Sequence, residues 1–300
     1  MRLIIVFLIL SSFAYGQKTY QKTYYSNGKL KAEGWIENNL KTDYWKFYHN
    51  DGHIKKQGRF KNNKEVGYWR TYYADGILKE EGQLNYKSPI GYWRFYYKNK
   101  TIKKEGHFKN GLESGYWKFY HDNGTLQTQG VLNEGKRNGY WRIYNSANQL
   151  EQQGAFKDDL KQGHWRTYYA NQKLKKQGTY LNDKEIGYWR FYHSNGQLEK
   201  AGEYNLGKAT NYWQFYSSKG QKISEGHFQN DKKQNWRLFY DENERINHKC
   251  QLSNNKKNGY CLMYKDEKLT SAVKYSKGKR IKEWTDLKSF KKENKLSDLN

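Results

Sequence analysis

Apolar and polar side chains alternate in short runs along most of the chain, and the runs recur at a fixed period, the interval from Trp69 to Trp93. From Gly67 to Gly91, the run Tyr68-Trp69-Arg70-Thr71-Tyr72-Tyr73 is aromatic and extended. Asp75-Gly76 is a two-residue turn signal, and 77–84 reads as a second short strand. The pattern predicts a β-hairpin. With Asp75 and Gly76 as a type I′ loop, Trp69 faces Gly82 and Arg70 faces Glu81, which sets an indole over a bare glycine and opposite charges across the ladder. The second loop, 85–90, returns the chain with Leu84 facing Gly91 and Gly82 facing Trp93, so that each tryptophan lies between two glycines. Side chains alternate along a strand, so Trp69, Thr71, Leu78, Gly82 and Leu84 are expected on one apolar face. Tyr68, Arg70, Tyr72, Lys79 and Glu81 are expected on the other.

The unit recurs with little variation. Trp45, Trp69, Trp93, Trp117, Trp141, Trp165, Trp189 and Trp213 keep the period, as do Gly34, Gly58, Gly82, Gly106, Gly130, Gly154, Gly178, Gly202 and Gly226. A fixed period of this length marks a repeat architecture. The fold class expected is all-β: an elongated, single-layer antiparallel meander of about ten hairpins, with a short helical cap at the carboxy terminus. At ~4.8 Å per strand the sheet would run on the order of 100 Å. Such an array is stabilised by neighbour stacking rather than by one core, and strong twist is expected to fold the tryptophan face inward.

Both ends depart from the unit. Residues 1–16 carry one positive charge, an apolar run from Leu3 to Leu10 and a small, polar end, which reads as a signal peptide cleaved before Gln17 and implies export. The array is expected over 17–279. Gln21 takes the tryptophan position of a partial first unit. After Trp213 the pattern loosens: Lys222 replaces an aliphatic residue, and Trp236 arrives one position early. Cys250 continues the glycine series, and the second-loop pairing places it opposite Cys261; in an exported protein this favours a disulfide. Over 280–300, Trp284, Leu287, Phe290 and Leu296 suggest an amphipathic helix.

Composition changes the picture in one respect. A net charge of +25 with 35% hydrophobic residues suggests disorder on its own, but 29 Tyr, 13 Phe and 11 Trp argue for order. The charge permits an anionic lipid or polysaccharide partner. Lysines spread through loops and strands also serve solubility, and an export signal disfavours nucleic acid.

No catalytic constellation is evident. His49, His121 and His193 are equivalent positions three units apart, too distant to share a metal. Glu81, Glu105 and Glu225 recur opposite Arg or Lys as structural pairs. No cofactor, metal or catalytic residue is expected, and the chain is read as a non-enzyme. The candidate binding face is Tyr68, Arg70 and Tyr72, repeated as Tyr92, Arg94, Tyr96, as Tyr116, Lys118, Tyr120 and as Tyr140, Arg142, Tyr144. Tyrosine and arginine are the residue types that dominate interfaces, so a protein partner is expected, with anionic-surface binding as the competing reading.

The unit GYWRTYYADGILKEEGQL resembles the MORN repeat, and most closely the bacterial variant found in proteins classed as antitoxin-like MORN-repeat proteins. The likeness spans about residues 20 to 264. It implies a non-catalytic hairpin array used for protein contacts and, in some eukaryotic members, for membrane or phosphoinositide association. An exported immunity protein would reconcile that family with the signal segment.

Overall fold

The structure, a computed structural model, describes residues 17–294. The segment read as a signal peptide and Leu296 lie outside them. The described residues form 23 strands and one helix, Leu287–Glu293. They divide into two compact units, one up to Gly124 and one from Thr125. Within each unit consecutive strands pair antiparallel, so the expected all-β meander of hairpins is what the chain forms.

The register of the central pairs is as the alternation requires: Trp69 opposes Gly82 and Arg70 opposes Glu81. The turns are not. The first loop has three residues: Gly76 N donates to Tyr73 O at 3.0 Å, Tyr73 N donates to Ile77 O at 2.8 Å, and Gly76 alone is left-handed, at φ +79°. Asp75 instead accepts from Ile77 N at 3.3 Å. A turn followed by one left-handed residue is the usual three-residue hairpin, and here it leaves Lys79 unpaired. Tyr72 therefore pairs with Leu78, and Leu78 moves from the tryptophan side, where strict alternation put it, to the tyrosine side.

The type I′ geometry occurs in the second loop instead. Tyr86 and Lys87 have φ of 50° and 72°, and Leu84 pairs with Pro89 rather than with Gly91. The excess is taken up beside Gly91, left-handed at φ +64°. A left-handed residue stands two before each tryptophan position, as Asp43, Gly67, Gly115, Gly139, Gly163, Gly187 and Asn211 among others. This kink lowers each tryptophan ring onto the glycine of the preceding strand pair. A Cβ on Gly58, Gly82, Gly106, Gly130, Gly154, Gly178 or Gly202 would fall within 3.0 Å of three ring carbons of the next tryptophan along the chain. Each tryptophan is thus flanked by two glycines, but its ring rests on the earlier one.

The rings are buried and interleaved with a second aromatic series. In the first unit Phe60 meets Trp45 and Trp69 edge-on at 6.2 and 5.2 Å, and Phe108 meets Trp93 and Trp117 at 5.9 and 5.3 Å. In the second unit Phe156, Tyr180 and Tyr204 bridge Trp141, Trp165, Trp189 and Trp213 in the same way. Edge-to-face pairs contribute about 0.5–1.5 kcal/mol each beyond area burial. Buried indole N–H groups require acceptors, and in this tryptophan series they find backbone carbonyls: Trp45 Nε1 donates to Trp35 O at 2.9 Å and Trp165 Nε1 to Ala155 O at 2.9 Å. Lys41, Lys56, Lys104 and Lys161 lay their ammonium groups over these rings at 4.4–5.5 Å, so part of the lysine content covers apolar surface.

Successive loops are also tied together. Lys87 N donates to Glu65 O at 3.1 Å, and Tyr73 Oη donates to Tyr96 O at 2.8 Å. His49 and His193 occupy the Tyr73 position and reach Tyr72 O and Tyr216 O at 3.3 and 3.0 Å. These histidines are loop ties, not incidental variations.

At the carboxy-terminal end Cys250 and Cys261 pair across the ladder and form the expected disulfide. Trp236 does not continue the tryptophan series. Arg237 does: it opposes Cys250, is 7% exposed, stacks on Phe215 at 4.6 Å and donates to Ser224 Oγ at 2.7 Å. Trp236 falls at the Tyr68 position. The helix is shorter than the spacing of Trp284, Leu287 and Phe290 suggests. Lys279–Trp284 is a further strand paired with Lys268–Ser276, and the helix starts only after Asp286, whose carboxylate accepts from Ser289 N at 2.7 Å. Phe290 packs on Tyr260 and Trp284 with Leu262 and Ala272, so the helix covers the tyrosine side of the last strands.

Candidate functional site

The tyrosine side contains two tyrosine series with different roles. The inner series, Tyr72, Tyr96, Tyr120 and Tyr144, is half-buried, and its hydroxyls are committed to a Glu or Gln at a constant offset on the preceding strand. Gln57 Nε2 donates to Tyr72 Oη at 2.6 Å, Tyr96 Oη donates to Glu81 Oε1 at 2.7 Å, Tyr120 Oη to Glu105 Oε1 at 2.7 Å, and Gln129 Nε2 donates to Tyr144 Oη at 3.2 Å. Glu or Gln at that position serves equally because a tyrosine hydroxyl can donate or accept.

Glu81 and Glu105 are buried in the sheet surface. Arg70 Nε lies 3.1 Å from Glu81 Oε2, and Arg94 Nε 3.3 Å from Glu105 Oε2. Burial alone would raise the Glu81 carboxyl, but hydrogen bonds from Tyr96, Arg70 and Tyr68, with the charge of Arg70, outweigh it and hold the group below the ordinary carboxylate range. Glu105 is lowered in the same way: burial acts against the shift, and Tyr120, Tyr92 and Arg94 outweigh it. The reciprocal effect, burial first and then the Glu81 hydrogen bond and charge, pushes Tyr96 up to about 12. Glu225 follows a different pairing from the one expected: it opposes Gln214 and Leu238 across the ladder, and its cation is Lys222, at 3.0 Å on its own strand.

The outer series faces solvent. Tyr44, Tyr68, Tyr92 and Tyr116 in the first unit are 40–49% exposed, and Tyr140, Tyr188 and Tyr212 in the second are 38–52% exposed. Arginine guanidiniums lie over four of them: Arg70 over Tyr68 and Arg94 over Tyr92 at 5.5 Å, Arg142 over Tyr140 at 5.8 Å and Arg190 over Tyr188 at 5.0 Å. Arg70 and Arg94 are therefore fixed between a buried carboxylate and an exposed ring. Such a residue loses little conformational entropy on binding. Lys118 beside Tyr116 lacks the planar fork that allows this double engagement. The twelve residues read as a binding face thus separate, within each unit, into exposed tyrosines with their Arg or Lys neighbours and half-buried tyrosines that hold the sheet. The sequence alone did not separate the two, although the Glu or Gln at a constant offset before each inner tyrosine was a signal.

Among the described residues no group of His, Cys, Asp and Glu is arranged to hold a metal. No described helix is long and apolar enough to cross a membrane.

The family profile described as "MORN repeat variant" matches residues 20–34, 44–62, 65–87, 89–110, 113–132, 161–182 and 185–206. The matched segments end at 206, short of the span to 264 that the repeat suggests, and they skip 133–160, where Ala147 replaces the Asp or Asn of most other turns while Trp141 still opposes Gly154. No curated protein sequence matches the chain. Among solved structures, the TcdB2–TccC3 complex with Cdc42 is 13% identical over 82% of this chain with a TM-score of 0.18, and TcdB2–TccC3 is 12% identical over 85% with a TM-score of 0.16. The chain spans 15% of the length of each, and at these scores the likeness carries no functional argument. What the recurring hairpins and the seven matched segments establish together is that this chain is a repeat scaffold belonging to the MORN-repeat variant family.

Proposed function

We propose that the chain is an exported, non-enzymatic scaffold that binds a protein partner through its outer Tyr/Arg positions, in the manner of an antitoxin or immunity protein. The observation that supports this reading is the division of labour between the two tyrosine series. The inner one uses its hydroxyls to hold the sheet, whereas the outer one leaves large amphipathic rings in solvent beside arginines, of which Arg70 and Arg94 are already fixed by buried carboxylates. Tyrosine and arginine presented rigidly are what interface centres are made of. Export is supported by the Cys250–Cys261 disulfide and by the leader-like composition of residues 1–16.

The competing reading, association with an anionic lipid or polysaccharide, draws on the net charge of +25. It differs in salt dependence, because exposed charges are screened beyond about 8–10 Å at physiological ionic strength. The test is an affinity capture from envelope and secreted fractions of the source cell with protein starting at Gln17, washed at low and at physiological salt. A discrete protein retained at both, and weakened tenfold or more by Tyr68→Ala with Tyr92→Ala but not by loop lysine changes, is the expected result. Recovery of lipid or acidic polymer alone, lost at the higher salt, would replace the proposal with the competing reading.

A further inference from the structure

Three departures from the repeat meet in one place. Trp236 stands where the preceding units carry tyrosine or, once, histidine (His164), Leu238 where they carry Arg, Lys or Gln, and Lys249 where they carry Glu, Gln or Ala. Together with Tyr240, Ile246 and Tyr264 they line a mostly apolar cleft of about 640 Å³ on the tyrosine side of the second unit. That volume lies within the range of small-ligand sites.

The cleft inverts the charge arrangement of the repeat. At Glu105, a buried carboxylate opposes Arg94 on one strand and Lys118 on the other, and it accepts the hydroxyl of Tyr120. At Lys249 the central group is an ammonium, and both opposing residues are apolar, Leu238 and Leu262. Its Nζ lies 4.5 Å from the Trp236 ring, and among the described residues it has no carboxylate within ion-pair distance. Of the acidic residues at the rim, Asp241 and Asp266 pair with Arg245 and Glu244 accepts from Lys222 N, while Glu267, which also lines the cleft, is not within ion-pair distance of Lys249. Tyr264 holds the inner-tyrosine position of its unit and should donate to position 249. It meets a cation there, so its hydroxyl has no acceptor among the described residues. A half-buried ammonium between two leucines is unfavourable without a counter-charge.

We propose that this cleft binds a carboxylate carried on an aromatic or branched aliphatic body. The carboxylate takes the place that Glu105 and Glu225 fill in other units, accepting from Lys249 Nζ and Tyr264 Oη, while the apolar body lies against Trp236, Leu238 and Ile246. The carboxylate can belong to a free arylalkanoic acid or to the carboxy-terminal residue of an apolar peptide end. Both present the same group to the same two donors.

The test uses protein starting at Gln17 and fluorine NMR of 3-(4-trifluoromethylphenyl)propanoate beside the corresponding propanol. Calorimetry with a short peptide ending in phenylalanine, as free acid and as amide, forms the second arm. The acid is expected to bind at least tenfold more tightly than the alcohol. K249M and Y264F should each reduce that preference fivefold or more without loss of the circular-dichroism signal. L238R, which restores the repeat residue, should remove binding of both probes. If the peptide acid also binds more tightly than its amide, the source is a chain end; if only the arylpropanoate binds, it is a free acid. Equal affinity for acid and alcohol, unchanged affinity in folded K249M, or no binding of either acid at millimolar concentration would overturn the proposal.

Discussion

The contact between each tryptophan ring and the glycine beneath it can be tested at Gly130 and Trp141, on the first two strands of the second unit. A Cβ on Gly130 would fall within 3.0 Å of three carbons of the Trp141 ring, and the ring is 1% exposed, so neither partner has room to give. Ejecting a ring that buries about 150–250 Å² would cost roughly 4–6 kcal/mol at 25 cal/mol/Å², whereas a partial shift with local overpacking costs about 1–3 kcal/mol. Gly130→Ala should therefore destabilise by about 3 kcal/mol. Gly139→Ala is the control: its added Cβ meets nothing within 4 Å, and only its φ of +70° is strained, so the loss should be about 1 kcal/mol. The assay is urea unfolding followed by tryptophan fluorescence, with hydrogen exchange over 126–144 to localise the effect. A Trp141→Leu background provides the coupling test, since removing the ring should remove most of the Gly130→Ala penalty. The steric account is refuted if Gly130→Ala costs no more than Gly139→Ala, or if its penalty is undiminished on the Trp141→Leu background.

Other consequences can be checked with the same apparatus. Lys100 and Gln172 take the left-handed position that Gly76 fills elsewhere, with φ of 72° and 64°, so Lys100→Gly and Gln172→Gly should each stabilise by about 1 kcal/mol in urea titrations. Replacing both cysteines with serine opens a loop of sequence separation 11 and should cost about 3 kcal/mol, with exchange protection lost first over 246–264. The lowered carboxyls of Glu33, Glu81, Glu105 and Glu225 contribute stability that is present above their ordinary value of 4.5 and is lost as pH falls through their lower folded values. The raised phenols, Tyr96 among them, favour the folded state below their ordinary value of 10.0, and that contribution disappears as pH rises towards about 12. The urea midpoint should be flat between these limits and fall on both sides; a midpoint unchanged at pH 3 would contradict the carboxylate assignments.

The central strand pairs could be read from the sequence because each misjudged loop is offset by a bulge: the third residue of the first loop is compensated by the unpaired Lys79, so Trp69 still opposes Gly82 and Arg70 still opposes Glu81, and Cys250 likewise still opposes Cys261. The loops could not. Whether a connection has two residues or three depends on one backbone torsion, and Gly76 is compatible with either. The structure places the type I′ pair at Tyr86 and Lys87, residues with no turn preference of their own, because successive loops bond to one another and hold them there. Leu78 changed sides for the same reason. At Trp236 chemical identity misled, since the position in phase with Trp213 is Arg237. The helix was overextended because Trp284 has apolar spacing compatible with either a helix or an edge strand. The binding face was visible as a composition of tyrosine and arginine, but which tyrosines remain exposed depends on Glu and Gln partners on the neighbouring strand.

The ring seat and the ring that fills it both belong to the same repeating period, which bears on how such a chain can change. Loss or gain of a whole period anywhere between Gly34 and Trp213 again brings a bare glycine under an indole and a left-handed residue two positions before it. The number of hairpins can therefore vary by recombination without creating a packing defect at the seam. Beyond Gly226 this freedom ends: the ring is replaced by Arg237 and the seat by Cys250, and a cut there would leave a tryptophan without a seat or a cysteine without its partner. Packing therefore tolerates a change of length in the body of the array and opposes one at its carboxy-terminal end.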